Sequence, residues 1–221
     1  MFGLTALLAS FALGLAIYSF WGWRIPQGSQ TKLAFPLKNG TFYIANGGSN
    51  SLLNAHLNTL EGERFRFYRG QSYAADILQI NSYGLRANGL LPSDPADYTI
   101  FESPVYAPCL GTVIETENKR EDMPPPEADR EVMPGNHVLI DCGEAVVLLA
   151  HFKKGSVKVE KGQLVETGQM LGEVGNSGNT NEPHLHIHAQ RRGSAETPLG
   201  GEPLWMTFEG EFLVHNQLVI R

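Results

Sequence analysis

The sequence predicts an all-β protein, an antiparallel sheet of sandwich or open-barrel type, preceded by one hydrophobic helix. Three observations carry this prediction. From Val105 onward, short apolar runs alternate with turn residues, at spacings too short for helical crossovers. The 221 residues include 24 Gly and 13 Pro, which disfavours a helix bundle. The first 23 residues contain no charged side chain and no histidine.

The composition excludes two classes of protein. With 42% hydrophobic residues, the chain has enough apolar surface to fold, so it is not disordered. It has 17 Lys and Arg against 23 Asp and Glu, a formal net charge of −6. Sequence-independent nucleic-acid binding needs clustered basic residues, so we expect no nucleic-acid partner.

The N-terminal 23 residues would form a helix roughly 33 Å long, enough to cross the hydrocarbon core of a membrane. Four aromatic residues cluster at its far end: Tyr18, Phe20, Trp21 and Trp23. Because no basic residue precedes the run and bulky side chains end it, an uncleaved anchor is favoured over a cleaved signal peptide. Three basic residues follow it: Arg24, Lys32 and Lys38. They would keep that flank cytoplasmic, which conflicts with the functional argument below.

We divide the chain into an anchor or signal segment at residues 1–25, a lead-in segment at 26–50 and one domain at 51–221. Residues 61–69 alternate charged and aromatic side chains and are interpreted as a strand or an exposed loop. Residues 73–80 are apolar around one acid and predict a buried strand. Further strands are predicted at 112–117, 137–142, 145–151, 156–159, 170–174, 184–190, 205–208 and 212–220.

Two features are left with alternatives. Residues 117–135 are charged and Pro-rich, and are interpreted as a long surface loop that either forms one wall of a groove or is disordered. Cys109 and Cys142 are too few for a disulfide scaffold, and either form one bridge or remain two buried thiols.

The run His184-Leu185-His186-Ile187-His188 is the first sign of chemistry. In a strand, alternate residues share a face, so the three imidazoles would line one side while Leu185 and Ile187 enter the core. Converging neutral imidazoles are typical ligands of zinc and other transition metals.

Three other residues join this set. His151 ends an apolar run, and Asp76 lies inside another, where a carboxylate needs a partner such as a metal cation. His56 has the weakest local context of the three.

Four motifs, in order, resemble the zinc metallopeptidases of the lysostaphin/LytM type, peptidase family M23. They are Val105-Tyr-Ala107-Pro108-Cys-Leu-Gly111-Thr-Val113, Leu149-Ala150-His151, Val159-Glu-Lys-Gly162-Gln-Leu-Val165-Glu-Thr-Gly168-Gln169 and Gly172-Glu-Val-Gly175-Asn-Ser-Gly178-Asn-Thr-Asn-Glu-Pro183-His184-Leu-His186. The resemblance covers residues 73–190, the expected core. It implies a LytM-like antiparallel sheet of the duplicated-hybrid-motif type, with a groove that holds one Zn²⁺ per chain.

The resemblance also implies roles for individual residues. Asp76 and His186 match metal ligands, and His151 and His184 match the two histidines that act in catalysis beside the metal. The family pattern has a further ligand histidine four residues before the aspartate, where this chain has Ser72. We expect His56 to supply that ligand. His188, Asn54 and Tyr73 are candidates for supporting the ligands from behind.

Together these expectations predict that the protein is a zinc endopeptidase that hydrolyses cross-links or stem peptides of peptidoglycan. Two imidazoles and one carboxylate leave a fourth zinc position open, which is typical of a catalytic site. The alternatives are a non-catalytic regulator of cell-wall hydrolases and a peptidase for another extracytoplasmic peptide. The expected location is the cell envelope, with the enzyme anchored in the membrane through residues 1–23, or secreted if that segment is cleaved.

Overall fold

The computed structural model describes residues 2–28 and 30–221. One helix, α1 (Phe2–Trp21), precedes the strands, and 3-10 helices span Ala55–Thr59, Glu63–Tyr73 and Pro95–Asp97. The strands are β1 (Gln30–Leu33), β2 (Thr41–Asn46), β3 (Ala75–Ile80), β4 (Pro104–Tyr106), β5 (Gly111–Glu117), β6 (Asn136–Asp141), β7 (Val146–Phe152), β8 (Leu164–Val165), β9 (Met170–Glu173), β10 (Leu185–Gln190), β11 (Pro203–Phe208) and β12 (Leu218–Ile220).

Ten of these strands form one sheet, in the order β12-β2-β3-β10-β7-β6-β5-β8, with β11 paired to β10 and β1 paired to β11. The β1–β11 pair is parallel and the other pairs are antiparallel. Strands β4 and β9 form a separate two-stranded antiparallel sheet. The predicted all-β antiparallel architecture with an N-terminal helix is therefore confirmed.

The two faces of β10 are both buried but differ in chemistry. Leu185 and Ile187 point into the main hydrophobic core, whereas His186 and His188 occupy the alternate positions and line a groove. The neighbouring strand β7 has the same division, since Leu149 faces the core and its alternate residues face the groove. The period of two in both strands thus separates the core from the site.

Two predicted elements were wrong. Residues 61–69 lie mostly in the 3-10 helix Glu63–Tyr73, because their alternation marks no buried face: Phe67 is exposed. Residues 156–159 form no strand, because a turn takes up their start, with Ser156 N donating to Lys153 O and Val157 N to the side chain of Asn118. The strand predicted at 73–80 begins at Ala75, since Tyr73 completes the preceding 3-10 helix.

The lead-in segment differs from the expectation in one respect, because it contributes β1 and β2 to the main sheet. Phe42 and Ile44 on β2 are fully buried at alternate positions, which packs this strand against the core beside β3. The proposed segment boundaries themselves stay a prediction.

The Pro-rich segment 117–135 is held by specific contacts. Asp122 accepts hydrogen bonds from the backbone of Lys154 and Asn176, and Met133 and Pro134 line the groove. Cys109 and Cys142 form a disulfide, with Cα atoms 6.0 Å apart.

Helix α1 includes an apolar stretch, Leu4–Trp21, long enough to cross a membrane, and none of this stretch is buried within the protein. The end of the helix contacts the loop before the Ala55–Thr59 helix. Asn50 Nδ2 donates to Tyr18 O at 2.5 Å, and Ser49 N donates to Gly22 O at 2.9 Å.

Candidate metal centre

A groove of about 380 Å³ lies on the face of β3, β10 and β7 that points away from the main core. Its other walls come from the Ala55–Thr59 helix, the segment ending at Pro134 and residues 179–182. Six of the predicted site residues line it: His56, Asp76, His151, His184, His186 and His188.

Asp76 lies at the centre of these side chains. The register places it directly opposite His186 in the β3–β10 pair, and its Oδ1 lies 2.9 Å from His186 Nδ1. Its Oδ2 lies 2.9 Å from His56 Nε2 and accepts a hydrogen bond from Asn46 Nδ2, also at 2.9 Å. Burial alone would raise the pKa of Asp76, but the charges of His56 and His184, with hydrogen bonds from His184 and His186, hold it well below its usual range. An ionised carboxylate therefore faces the histidines.

His56 reaches this carboxylate because its short helix is fastened at both ends. Asn54 caps the helix by accepting a hydrogen bond from His56 N at 3.1 Å, and its Nδ2 donates to Ala74 O at 2.9 Å, next to β3. At the other end, Thr59 Oγ1 lies 2.8 Å from both His56 O and Ser72 Oγ. Asn54 thus joins the helix that carries His56 to the residue before β3, and its supporting role stays a prediction.

Ser72 occupies the position at which the M23 pattern has its first histidine. It is fully buried, and its hydroxyl hydrogen-bonds Thr59 and donates to Arg69 O at 2.7 Å. The residue at this position thus holds the helix that carries His56.

His186 and His188 contact each other along β10. His186 Nε2 lies 3.0 Å from His188 Nδ1. Burial lowers the pKa of His186, although the Asp76 carboxylate acts in the opposite direction. Burial and the nearby charges of His186 and His56 hold the pKa of His188 well below its usual range, while a contact with the Gln190 side chain opposes this.

His151 has an unusual backbone, with a φ of +65° that L residues rarely adopt. Its Nδ1 lies 2.8 Å from Ser177 O, so Nδ1 carries the proton and Nε2 keeps the free lone pair. Burial, followed by the charges of His184 and His186, holds the pKa of His151 well below its usual range. The neutral form of this imidazole is therefore favoured.

His184 packs on His151, with ring centroids 4.7 Å apart. Its Nδ1 lies 2.9 Å from Glu182 O and 3.1 Å from Thr180 Oγ1, and its Nε2 lies 3.5 Å from Asp76 Oδ1. Burial lowers the pKa of His184, but Asp76 outweighs this effect and the net shift is upward. The two histidines thus differ in their surroundings: Asp76 favours the protonated form of His184, and burial disfavours that of His151.

The donor atoms fit a single transition-metal ion. One ligand atom each from His56, Asp76 and His186 lie within 4.8 Å of one another, and the same holds for His151, His184 and His186. A tetrahedral zinc ion at about 2.0–2.1 Å from its ligands holds them roughly 3.3 Å apart. Small shifts of the hydrogen-bonded side chains would bring their ligand atoms to that separation.

Tyr73 is the predicted site residue that does not join this group. Its ring stacks on Trp205 at a centroid distance of 3.7 Å, and it is not among the described residues that line the groove. Sequence reasoning missed Asn46, Ser177 and Thr180, which contact Asp76, His151 and His184. Isolated Asn, Ser and Thr residues in turn-rich segments give no pattern by which they could have been found.

Comparison with sequence models of protein families gives a match to the family described as Peptidase family M23, over residues 96–198, a little under half of the chain. This match confirms the resemblance carried by the four motifs. It includes His151, His184 and His186 but begins after His56 and Asp76.

Over 103 residues, the chain is 32% identical to a protein named peptidoglycan DD-endopeptidase ShyA, from Vibrio cholerae serotype O1. This alignment covers 46% of the chain and 21% of the relative, so the chain spans about a fifth of that protein's length.

Two solved structures are also similar. The catalytic domain of lysostaphin from Staphylococcus simulans is 19% identical, with a TM-score of 0.36, over 57% of this chain and 71% of that one. A zinc-containing peptidase from Vibrio cholerae is 17% identical, with a TM-score of 0.35, over 59% of this chain and 45% of that one.

Proposed function

We propose that the protein is a zinc-dependent endopeptidase acting on peptide cross-links or stem peptides of bacterial peptidoglycan. The match of residues 96–198 to the model of peptidase family M23 supports this proposal. One observation carries the proposal. Two imidazoles and a carboxylate, from His56, Asp76 and His186, converge in a groove that also contains His151 and His184.

In this proposal His56, Asp76 and His186 hold one zinc ion per chain. Three protein ligands leave a fourth position open to the groove, as in catalytic rather than structural zinc sites. When bound, zinc supplies a Lewis acid that polarises a carbonyl group and makes water acidic enough to lose a proton near neutral pH.

His151 and His184 would handle the protons. The Nδ1 proton of His151 is donated to Ser177 O, so Nε2 is the nitrogen that takes a proton from the attacking water. His184, beside the Asp76 carboxylate, would stabilise the developing oxyanion or protonate the leaving amine. The strained backbone of His151 supports this role, because such strain occurs often at active sites.

A peptide substrate suits the groove. Its walls combine apolar side chains, such as Leu148 and Leu199, with the amides of Asn179 and Asn181. The name of the V. cholerae relative supports peptidoglycan as the substrate class. A peptidase for another extracytoplasmic peptide and a non-catalytic regulator of wall hydrolases are the alternatives that the experiment below separates.

The experiment uses the full chain purified in detergent. Bound zinc is measured by elemental analysis, and cleavage is followed by the release of soluble peptides from purified peptidoglycan. We compare wild type with His56→Ala, Asp76→Ala and His186→Ala. His215→Ala is the matched control, since this histidine hydrogen-bonds Ala45 O and has no contact with Asp76.

We expect one zinc per chain and cleavage in wild type and in His215→Ala, and loss of both in the other three variants. Removing zinc with a chelator should stop cleavage, and added zinc should restore it. Zinc retained in His56→Ala would overturn the ligand set. If wild type binds zinc and cleaves other peptides but not peptidoglycan, the proposed substrate is wrong. If wild type binds no zinc at all, the non-catalytic regulator is favoured.

For location, we propose that α1 anchors the protein in the membrane with the peptidase domain outside the cytoplasm, where peptidoglycan lies. The test is extraction of membranes at alkaline pH, combined with mass spectrometry of the N-terminus. An intact N-terminus that resists extraction supports an anchor, and a chain that begins after residue 23 in the soluble fraction would show cleavage instead.

A further inference from the structure

Three polar side chains form a row on one face of β10: His186, His188 and Gln190. They occupy alternate positions of the strand and are all buried, with exposed fractions of 5%, 2% and 0%. Only the first is a candidate metal ligand. Buried polar groups are costly unless hydrogen-bonded, so the presence of two more behind the ligand requires an explanation.

Two contacts lie along the row. Gln190 Nε2 donates to Pro198 O at 2.6 Å, and His186 Nε2 lies 3.0 Å from His188 Nδ1. Between these contacts remain two buried atoms, His188 Nε2 and Gln190 Oε1, neither of which has a hydrogen-bond partner among the described residues. They belong to neighbouring members of the same row, and each is the natural partner of the other.

The amide of Gln190 is confined by close backbone. A Cβ atom at Gly70 would lie 1.6 Å from Gln190 Oε1, and one at Gly201 would lie 2.9 Å from Gln190 Nε2. Only glycine at these positions leaves space for the amide. Since Pro198 O can only accept a hydrogen bond, the NH₂ group must face it, and Oε1 faces the other way.

The orientation of this amide determines the protons of both imidazoles. Gln190 Oε1 can only accept, so a hydrogen bond between the two side chains requires His188 to carry its proton on Nε2 and to present the lone pair of Nδ1 to His186. His186 must then donate from Nε2. Its Nδ1, 2.9 Å from Asp76 Oδ1, is left as the position that takes a cation, which is a proton or a metal ion.

We propose that His188 and Gln190 are positioning residues, forming a relay that holds His186 in the orientation and tautomer in which Nδ1 binds the metal. The proposal rests on the zinc site of the proposed function. Hydrogen bonds behind a ligand histidine commonly fix its tautomer, and their loss typically lowers metal affinity about 10–100-fold.

The test measures zinc affinity by competition with a chromophoric chelator, using the full chain in detergent. His188→Leu and Gln190→Leu should each weaken zinc binding about 10–100-fold. His188→Asn keeps an acceptor atom near the position of Nδ1 and should lose less affinity than His188→Leu. The double variant should be little worse than either single one, because both break the same relay. His215→Leu is the control, because this histidine hydrogen-bonds Ala45 O and lies outside the row.

A second measurement reads the tautomers directly. Long-range ¹H–¹⁵N spectra of protein labelled at histidine should show His188 protonated on Nε2, with and without zinc. In Gln190→Leu this preference should be lost. For peptidoglycan cleavage by the relay variants, kcat should fall by a larger factor than KM rises, because the relay acts on the metal ligand and not on the substrate.

Two results would overturn the relay: His188 protonated on Nδ1 in wild type, or zinc affinities of His188→Leu and Gln190→Leu within about twofold of wild type. Failure of the proposed function gives a different result. If wild type binds no zinc, or binds zinc without cleaving peptidoglycan, the spectra still decide whether Gln190 sets the tautomer of His188.

Discussion

His56 and Asp76 are 20 residues apart in the chain, yet His56 Nε2 lies 2.9 Å from Asp76 Oδ2. The intervening segment consists mainly of two 3-10 helices that fold back on each other, and the hydrogen bond between Thr59 and Ser72 joins them. His56 therefore reaches the Asp76 carboxylate although it does not lie four residues before it, as the histidine does in the H-x-x-x-D pattern of family M23. The position of His56 depends on this fold-back and not on local sequence.

Replacing Thr59 by Val tests that dependence. The change removes the hydroxyl that bonds His56 O and Ser72, so His56 O loses this donor while Ser72 keeps only its bond to Arg69 O. We expect a loss of about 1–3 kcal/mol of unfolding free energy and a roughly tenfold loss of zinc affinity. Urea unfolding and chelator competition measure the two effects. Thr59→Ser, which keeps the hydroxyl, should behave as wild type, and equal losses in both variants would contradict the explanation.

Replacing His151 by Ala separates proton transfer from metal binding. His151 is not among the proposed ligands, so the variant should keep its zinc while the rate of peptidoglycan cleavage falls about 10²–10⁴-fold. Elemental analysis and a cleavage assay on the same sample measure both quantities. Loss of zinc in this variant, to the extent expected for His186→Ala, would assign His151 to the metal instead.

Gly135 controls the acceptor that orients His151. It has a φ of +56°, and a Cβ atom there would lie 2.2 Å from Ser177 O, the atom bonded to His151 Nδ1. Gly135→Ala should therefore cost about 2–4 kcal/mol of unfolding free energy and also reduce activity. Gly143→Ala is the matched control, because Gly143 also has a positive φ, of +87°, but open space at its Cβ. Equal destabilisation of the two variants would show that the close contact does not matter.

The disulfide between Cys109 and Cys142 gives a fourth prediction. It closes a sequence separation of 33 residues, for which chain entropy predicts a stabilisation of about 3–4 kcal/mol. Cys109→Ser and Cys142→Ser should each lower unfolding free energy by about that amount in urea. Thiol titration of the denatured, unreduced wild-type protein should find no free thiol, as expected for a domain outside the cytoplasm. Two thiols per chain would contradict the bridge.

Much of the fold and of the candidate site could be predicted from the local periodicity of the sequence. The alternation in His184–His188 places imidazoles on one face and apolar residues on the other whatever lies next to the strand, and the structure has this arrangement. Asp76 was recognisable because a lone carboxylate in an apolar run needs a partner. In contrast, residues 61–69 show a period of two without a buried face, and there the strand interpretation failed.

By itself, the sequence determined the class of the fold, the apolar N-terminal helix and the strand that carries His186, because each depends on residues close together in the chain. Only the tertiary structure decided that β2 joins the main sheet, that Asn46 contacts Asp76, and that Thr59 hydrogen-bonds Ser72. These relationships depend on register and on fold-back across tens of residues. No local pattern encodes them, since one polar side chain looks the same in sequence whether it faces solvent or a buried partner.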